Sequence, residues 1–215
     1  MIFTPGEYYH LYNRGVDKRN IFTREPDYER FLTLLYACNG TRGVDLDEQG
    51  KSIGTLLKNQ INRGEPLIDI CSYVLMPNHF HVMVREIREG GVGRFMQKFG
   101  VAYTSYFNKK YDRTGSLFQG TYKARHGSKD PYCSYVISYI HLNPIKLVEP
   151  KWKETGIINR KSAEKFLLQY KYSSYLDYCG NSRVESLILN KASLPTSYTS
   201  AGDFKKEVRI WLNKD

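Results

Sequence analysis

The segment LIDICSYVLMPNHFHVMV, residues 67–84, carries the pattern that decides the fold. Residues 67–75 are rich in β-branched and aromatic side chains, which favours a β-strand. Met76-Pro77-Asn78 is typical of a tight turn, because proline fixes φ and asparagine tolerates unusual backbone angles. Alternating side chains resume after the turn. The segment therefore predicts a β-hairpin with strands at about 67–75 and 79–86.

The second strand of this hairpin has an apolar side and a histidine side. Phe80, Val82 and Val84 point one way, whereas His79 and His81 point the other. Burial of the apolar side fixes the register, so the two imidazoles emerge together, about 6–7 Å apart along the strand. Two nitrogen atoms at that separation can converge on one metal ion.

The composition favours a globular protein with a polyanionic partner. The chain has 215 residues, of which 41% are hydrophobic, and a formal net charge of +10. A positive field of this size favours nucleic acid, and 18 tyrosines offer rings on which bases can stack. Four scattered cysteines without a C-x-x-C pair argue against a zinc module and a disulfide framework. We expect no membrane partner, no export and a cytoplasmic location, since neither a spanning apolar run nor a signal peptide is evident.

Strands and helices are predicted along most of the chain before residue 150. In chain order the elements are a strand at 7–14, a helix at 27–37, the hairpin, a helix at 92–110, a turn and short strand within 113–125, and a helix at 130–143. Residues 40–65 are interpreted as a long surface connection with one helical turn. Beyond residue 150 the patterning weakens, apart from an amphipathic helix predicted at 204–212.

The helix at 130–143 has a stripe of residues at helical spacing, which predicts the face that packs on the sheet. The stripe consists of Tyr132, Tyr135, Val136, Tyr139, Ile140 and Asn143. Asn143 lies one turn after Tyr139 and therefore beside it. Of the 18 tyrosines, Tyr139 is the one that combines a clear helix with an Asn or His four residues later.

If this helix covers the histidine side of the sheet, one site would contain a metal and a nucleophile. His79, His81 and the carbonyl oxygen of Asn143 could bind a divalent cation, with the Tyr139 hydroxyl on the same helix face. A tyrosyl oxygen is a weak nucleophile, and a cation on a phosphodiester lowers the barrier to its attack. Such an attack would leave DNA joined to tyrosine and a free 3′-hydroxyl.

At these residues the chain resembles the single-tyrosine transposases of the HUH nuclease superfamily. The similarity is to the insertion-sequence-200-like family, in particular its REP-associated tyrosine transposase branch. Five segments carry the resemblance, in the order of the family: Tyr8-Tyr9-His10-Leu11-Tyr12-Asn13-Arg14-Gly15, Leu75-Met76-Pro77-Asn78-His79-Phe80-His81, Tyr106-Phe107-Asn108, Gly115-Ser116-Leu117-Phe118-Gln119-Gly120 and Tyr139-Ile140-His141-Leu142-Asn143-Pro144.

The resemblance implies the roles of the site residues and the reaction. His79 and His81 would bind the metal, Tyr139 would be the nucleophile, and Asn143 would complete the metal site. The implied fold is α+β, with a central antiparallel sheet, packed helices and a ferredoxin-like outline. The implied reaction is metal-dependent cleavage and transfer of single-stranded DNA near hairpins, through a 5′-phosphotyrosine, with Mg²⁺ or Mn²⁺. Imidazole ligands favour Mn²⁺.

The resemblance also bears on the domains and the location. A catalytic domain would span residues 1–150 with an insertion at about 40–65, followed by an extension at 151–215 without an assigned role. The protein would act in the bacterial cytoplasm, associated with the nucleoid. The cations expected to contact DNA phosphates are Arg14, Lys18, Arg19, Arg113, Lys123 and Arg125.

Two other functions remain compatible with the sequence. The first is a catalytically silent regulator that binds hairpin DNA on the same scaffold. The second is a zinc hydrolase built on His79, His81 and His141, although His141 lies about 200° around the helix from Tyr139. The sequence also leaves open whether the chain acts as a monomer or a homodimer, and whether Tyr139 serves its own subunit's metal or a partner's.

Overall fold

A four-stranded antiparallel sheet forms the centre of the protein. The computed structural model describes residues 2–127, 130–194 and 201–212. The strands are β1 (Tyr8–Arg14), β2 (Ile68–Met76), β3 (His79–Glu86) and β4 (Lys123–Gly127), and their order across the sheet is β2-β3-β1-β4. With helices after β1 and β3, this order is that of a ferredoxin-like fold. The predicted α+β class and antiparallel sheet are confirmed.

Helices lie on both faces of the sheet. In chain order they are α1 (Glu25–Cys38), α2 (Leu46–Gln49), α3 (Ile53–Lys58), α4 (Gly91–Lys110), α5 (Asp130–Leu142), α6 (Trp152–Thr155), α7 (Arg160–Gln169), α8 (Tyr175–Tyr178) and α9 (Ala201–Leu212). Short 3-10 helices occur at Val16–Lys18, Asn143–Leu147, Val184–Ile188 and Lys191–Ser193.

The hairpin predicted from residues 67–86 is present. Strands β2 and β3 are joined by the two residues Pro77 and Asn78, and Met76 pairs with His79 across the turn. All nine residues of β2 are buried, because the sheet is covered on both faces. This agrees with the sequence of β2, which lacks a regular alternation of apolar and polar residues.

The first face of the sheet carries the larger core. Phe80, Val82 and Val84 are buried there against helices α1 and α4, as the alternation predicts. The ring of Phe31 in α1 lies 5.1 Å from that of Phe80 and 4.5 Å from that of Phe99 in α4. The histidine side of β3 is therefore left for the opposite face.

Residues 40–65 are more ordered than predicted. They contain two short helices, α2 and α3, instead of a single turn. Asp45 and Ser52 cap these helices by accepting hydrogen bonds from backbone amides. Leu46, Ile53 and Leu56 are buried in the larger core. Burial of these apolar side chains stabilises the fold. The segment therefore packs against the domain and is not the surface connection that was predicted.

Helix α5 covers the second face, but the buried residues differ from the predicted stripe. Cys133 and Ile137 are buried together with Val136 and Ile140, whereas Tyr135 is 43% exposed. The helix is covered on two sides, by the sheet and by later segments, so its buried surface is wider than one stripe and rotated from it. The prediction that Tyr135 faces the core is wrong.

The segments after residue 150 pack on the outer side of α5 and along the edge of β2. Leu167, Tyr175, Tyr178 and Phe204 belong to the same cluster as the buried residues of α5. Residues 172–174 run beside β2: Leu75 N donates to Tyr172 O at 2.9 Å, and Ser174 N donates to Tyr73 O at 3.0 Å. These contacts cover the exposed edge of β2. The boundary at residue 150 stays a prediction.

The end of α5 follows from its sequence. The α-helix ends at Leu142, and the chain continues as a 3-10 helix at Asn143–Leu147 that contains Pro144. Proline disfavours the α conformation in the residue before it, which explains a stop at this point. A helix is also present where residues 204–212 predicted one. Within the described ranges, no helix has the length and apolar character needed to cross a membrane.

Candidate active site

His79 and His81 project from β3 toward α5, as the alternation predicts. Their ring centroids are 5.2 Å apart and the ring planes are nearly perpendicular, at 88°. The Nδ1 atom of His79 lies 2.6 Å from Asn78 Oδ1. An amide oxygen only accepts hydrogen bonds, so neutral His79 carries its proton on Nδ1 and leaves the Nε2 lone pair available to a metal.

A third histidine, His10, contacts His81. Nδ1 of His81 lies 2.8 Å from Nε2 of His10, and the two rings are stacked with centroids 4.9 Å apart. His10 is on β1, the strand next to β3, on the same face of the sheet. In the tautomer that carries the proton on Nδ1, His81 donates this hydrogen bond to His10, and its second nitrogen is available to a metal, as in many metal sites where a neighbour fixes the tautomer.

All three imidazoles are neutral at pH 7. Burial lowers the pKa of His79 to about 4, with a further contribution from the charge of Lys146. Burial also lowers the pKa of His10 to about 4. The pKa of His81 is held well below its usual range by burial and by its histidine neighbours. Neutral imidazole is the form that binds metal ions.

Tyr139 and Asn143 reach this pair from the end of α5. The ring of Tyr139 packs edge-on against His81 of the same chain, with centroids 5.5 Å apart. Asn143 is 2% exposed, and its side chain lies beside His79, where it opposes the lowering of the His79 pKa. Residues 79–81 and 139–143 are thus brought together as the sequence predicted.

The residues present fit a divalent cation. Two neutral imidazoles and one amide oxygen, from His79, His81 and Asn143, form a mixed nitrogen and oxygen donor set. Among the residues that the structure describes, no group of three or more His, Cys, Asp and Glu side chains is placed to hold a metal. The third protein ligand here would therefore be an amide oxygen. Imidazole ligands suit Mn²⁺ better than Mg²⁺, which prefers oxygen.

The histidine pair opens into a basic cleft of about 500 Å³. Arg14, Lys18 and Lys123, three of the cations predicted to contact DNA, line this cleft together with His79 and His81. Lys146, which follows α5, also lines the cleft and was missed in the sequence. A concave surface with one sign of charge concentrates polyanions.

Lys18 is placed in the cleft by hydrogen bonds between its loop and the turn of the hairpin. Gly15 N donates to Asn78 O at 2.9 Å, and Asn78 Nδ2 donates to Lys18 O at 3.2 Å. Asp17 and Lys18 both adopt left-handed backbone angles, with φ of 53° and 59°. Such angles cost about 1–3 kcal/mol each outside glycine and often occur at binding sites.

The other three predicted cations lie in different surroundings. Arg125 is exposed on β4, on the same face as His10, and the neighbouring Tyr12 side chain raises the pKa of its guanidinium. Arg19 forms an ion pair with Asp17 at 3.4 Å. Arg113 lies beyond the end of α4, with its NH1 group 3.4 Å from Asn108 Oδ1. The structure does not bring Arg19 and Arg113 to the cleft.

His141 lies apart from the histidine pair. It is fully buried, its Nε2 atom is 2.7 Å from Ser174 Oγ, and its ring packs on Phe204 at 4.9 Å. These neighbours belong to the segments on the outer side of α5. The ligand set of the zinc hydrolase considered above is therefore not assembled.

Besides Lys146, two side chains at the site were not recognised in the sequence. His10 and Tyr12 lie on the same face of β1, and this alternation was visible in the sequence. It assigns His10 to the site only if β1 is known to lie beside β3. Lys153, in α6, donates a hydrogen bond from Nζ to the Tyr139 hydroxyl at 2.9 Å. No local pattern marks Lys153, because its partner is 14 residues earlier on another helix.

Comparisons with known proteins identify the family of this chain. The family model described as "Transposase IS200 like" matches residues 5–143. Similar solved structures include a REP-associated tyrosine transposase bound to a REP hairpin, with 10% identity, a TM-score of 0.47, and coverage of 86% of this chain and 87% of that one. The tRNA(His) guanylyltransferase from Saccharomyces cerevisiae has 12% identity and a TM-score of 0.37, with coverage of 92% and 85%. No curated protein matches. Since the family model spans well over half of the sequence, the chain belongs to the IS200-like transposase family.

Proposed function

We propose that this transposase cleaves and transfers single-stranded DNA near hairpins, with Tyr139 as the nucleophile. The observation that carries the proposal is the position of the Tyr139 ring, 5.5 Å from that of His81, beside a pair of neutral histidines and a buried asparagine. These residues come from two segments about 60 positions apart, and a structural role alone does not require their convergence.

The reaction exchanges one phosphodiester for another. The Tyr139 oxygen forms a bond to phosphorus, the bond from phosphorus to the 3′-oxygen breaks, and the 3′-oxygen takes up a proton. The phenolic proton passes to solvent, and the DNA remains attached as a 5′-phosphotyrosine. Bound at His79, His81 and Asn143, a divalent cation such as Mg²⁺ or Mn²⁺ would supply Lewis acidity to the phosphodiester. Attack by a 3′-hydroxyl on the phosphotyrosine would transfer the strand.

The cleft supplies the binding energy for the DNA. Arg14, Lys18, Lys123 and Lys146 line one cavity with the histidine pair, so a strand that neutralises them passes the proposed site. Tyr139 packs on the histidines of its own chain, which favours attack within one subunit and makes a homodimer unnecessary for the chemistry. A chromosomal substrate would place the protein in the cytoplasm, at the nucleoid.

Formation of a covalent adduct tests the proposal. Wild-type protein is incubated with end-labelled single-stranded hairpin DNA and Mn²⁺ and analysed on a denaturing gel. Tyr139→Phe removes one oxygen and keeps the ring, so the fold should lose at most about 0.5–1.5 kcal/mol and DNA binding should persist, while the adduct vanishes. Tyr135→Phe is the matched control, one turn earlier on the same helix and 43% exposed, and should form the adduct normally.

The other outcomes separate the alternatives. Wild-type protein that binds the hairpin without forming an adduct would be a silent regulator. Cleavage without an adduct, and tolerance of Tyr139→Phe, would indicate a hydrolase. An adduct that persists in Tyr139→Phe would place the nucleophile elsewhere, and Tyr12, which lines the cleft, would be the next residue to replace.

A further inference from the structure

Lys153 makes a direct contact with the proposed nucleophile. Its Nζ atom donates a hydrogen bond to the Tyr139 hydroxyl at 2.9 Å and lies 4.1 Å from the centroid of the Tyr139 ring. The ammonium group is therefore beside both the oxygen and the face of the phenol. Lys153 belongs to α6, outside residues 5–143 that match the family model.

We propose that Lys153 is a catalytic residue that stabilises negative charge on the Tyr139 oxygen. The inference rests on the function proposed above, in which this oxygen attacks phosphorus. A charged donor within hydrogen-bond distance of an oxygen favours its anionic form, and such bonds are stronger than those between neutral groups. No other assignment of Lys153 uses both its charge and its contact with the reacting atom.

The role is the same in both directions of the reaction. In cleavage, the phenolic proton leaves to solvent, the Tyr139 oxygen bonds to phosphorus, and the 3′-oxygen departs and is protonated. In strand transfer, a 3′-hydroxyl loses its proton to solvent, its oxygen bonds to phosphorus, and the bond from phosphorus to the Tyr139 oxygen breaks; the Tyr139 oxygen departs with negative charge and then takes up a proton from solvent. The N–H bond of Lys153 is directed at the atom that carries the charge before attack and after departure.

Two simpler roles would place a lysine at the same position. The aliphatic part of the side chain could pack on the Tyr139 ring, or the ammonium could bind a DNA phosphate. A packing role would be preserved by methionine, which keeps an unbranched apolar chain. A phosphate contact would change the affinity for DNA and leave the rate at saturation unaltered. The catalytic role predicts that methionine slows the reaction, and that the rate at saturation falls while the affinity for DNA is unchanged.

Single-turnover kinetics distinguish these roles. Adduct formation is measured with Mn²⁺ and protein in excess over labelled hairpin DNA, at concentrations that saturate binding, and the dissociation constant is measured separately without metal. Lys153→Met should slow adduct formation about 10- to 100-fold, because this change in rate corresponds to the loss of one hydrogen bond to a charged group. Its dissociation constant should change by less than about threefold. Return of the strand from a preformed adduct to an added 3′-hydroxyl end should slow similarly.

Two further variants complete the test. Lys153→Arg keeps the charge and an N–H donor and should recover most of the rate. Lys151→Met removes an equal charge from an exposed side chain just before α6 and should behave as wild type. Lys153 is itself exposed, so all variants should fold normally, which far-UV circular dichroism and thermal unfolding check.

The results that overturn the inference are specific. A wild-type rate for Lys153→Met at saturation, or equal slowing by Met and Arg, would exclude the catalytic role of Lys153 while leaving Tyr139 as the nucleophile. A lower affinity with an unchanged rate at saturation would assign Lys153 to phosphate binding. Absence of any adduct in the wild type would overturn both the inference and the function on which it rests.

Discussion

Replacement of His10 by phenylalanine should weaken metal binding at the histidine pair without removing a proposed ligand. His10 Nε2 is 2.8 Å from His81 Nδ1, and the two rings are stacked. Phenylalanine keeps a ring of similar size at a position that is 7% exposed, so the stack is preserved. The single change at His81 is the loss of its hydrogen-bond partner.

The expected size follows from the burial of His81, which is 8% exposed. An N–H group on Nδ1 that loses its acceptor in such a place costs about 1–3 kcal/mol. His81 avoids this cost if it shifts the proton to its other nitrogen, and that nitrogen can then no longer bind the metal. Loss of such a supporting hydrogen bond typically lowers metal affinity about 10- to 100-fold. We expect this range for His10→Phe.

Calorimetric titration with Mn²⁺ in the absence of DNA measures the affinity directly. Tyr9→Phe is the matched control, because Tyr9 is the neighbouring residue on β1, points to the opposite face, and also loses one hydrogen bond, from Thr4 N at 2.8 Å. Its affinity for Mn²⁺ should equal that of the wild type. If His10→Phe also binds Mn²⁺ with wild-type affinity, His10 does not orient His81, and the metal site has been placed wrongly.

Three further predictions concern DNA binding and stability. Lys123→Ala should reduce the slope of log K against log salt concentration by about 0.7 in fluorescence anisotropy with single-stranded DNA, whereas Arg113→Ala, outside the cleft, should not change it. His141→Ala removes a buried hydrogen bond that helps to fix the rotation of α5 and leaves a cavity, so urea unfolding should show a loss of about 2–4 kcal/mol, and adduct formation per folded molecule should be slower; an unchanged rate would mean that the bond to Ser174 is not needed to position Tyr139. Burial opposes ionisation of Asp27, but hydrogen bonds, first that from Lys110, outweigh it and lower its pKa to about 2. The stabilisation is therefore complete above about pH 4 and is lost as the pH falls through 2, by about 2 kcal/mol, and Asp27→Asn should abolish this part of the acid dependence.

The sequence predicted the histidine pair because one physical constraint fixes it. Because side chains alternate along a strand, burial of Phe80 and Val82 on the first face places His79 and His81 on the second face. The sequence also indicated Tyr139, because Tyr139 and Asn143 are four residues apart, and residues at this spacing on a helix are neighbours whatever the tertiary structure. Local periodicity was thus sufficient for each half of the site separately.

Where elements have more than one packed side, the same reasoning fails. Helix α5 is buried by the sheet on one side and by Tyr178 and Phe204 on another, so apolar residues occur on most of its surface. Several rotations of the helix about its own axis then fit the pattern of apolar residues equally well. The predicted rotation wrongly buried Tyr135. The short helices within 40–65 were missed for a related reason, since four to six residues are too few for a periodic pattern.

Contacts between distant segments account for the rest of the site. His10 reaches His81 only because β1 lies between β3 and β4, and no local feature of residues 8–14 specifies that order. The cleft cations were predicted from proximity in sequence to the motifs. That criterion selected Arg113, which lies elsewhere, and omitted Lys146, which is in the cleft.

The segments after residue 143 help to determine where Tyr139 lies, although the family model ends there. Helix α5 contacts the sheet through Val136 and Ile140, which fixes its distance from β2 and β3. Its rotation about its own axis is fixed from the other side, where buried His141 is hydrogen-bonded to Ser174. Since Tyr139 is two residues from His141, any rotation that moved the phenol away from the histidine pair would also break this buried hydrogen bond. The C-terminal segments thus hold Tyr139 against the histidine pair from behind the helix.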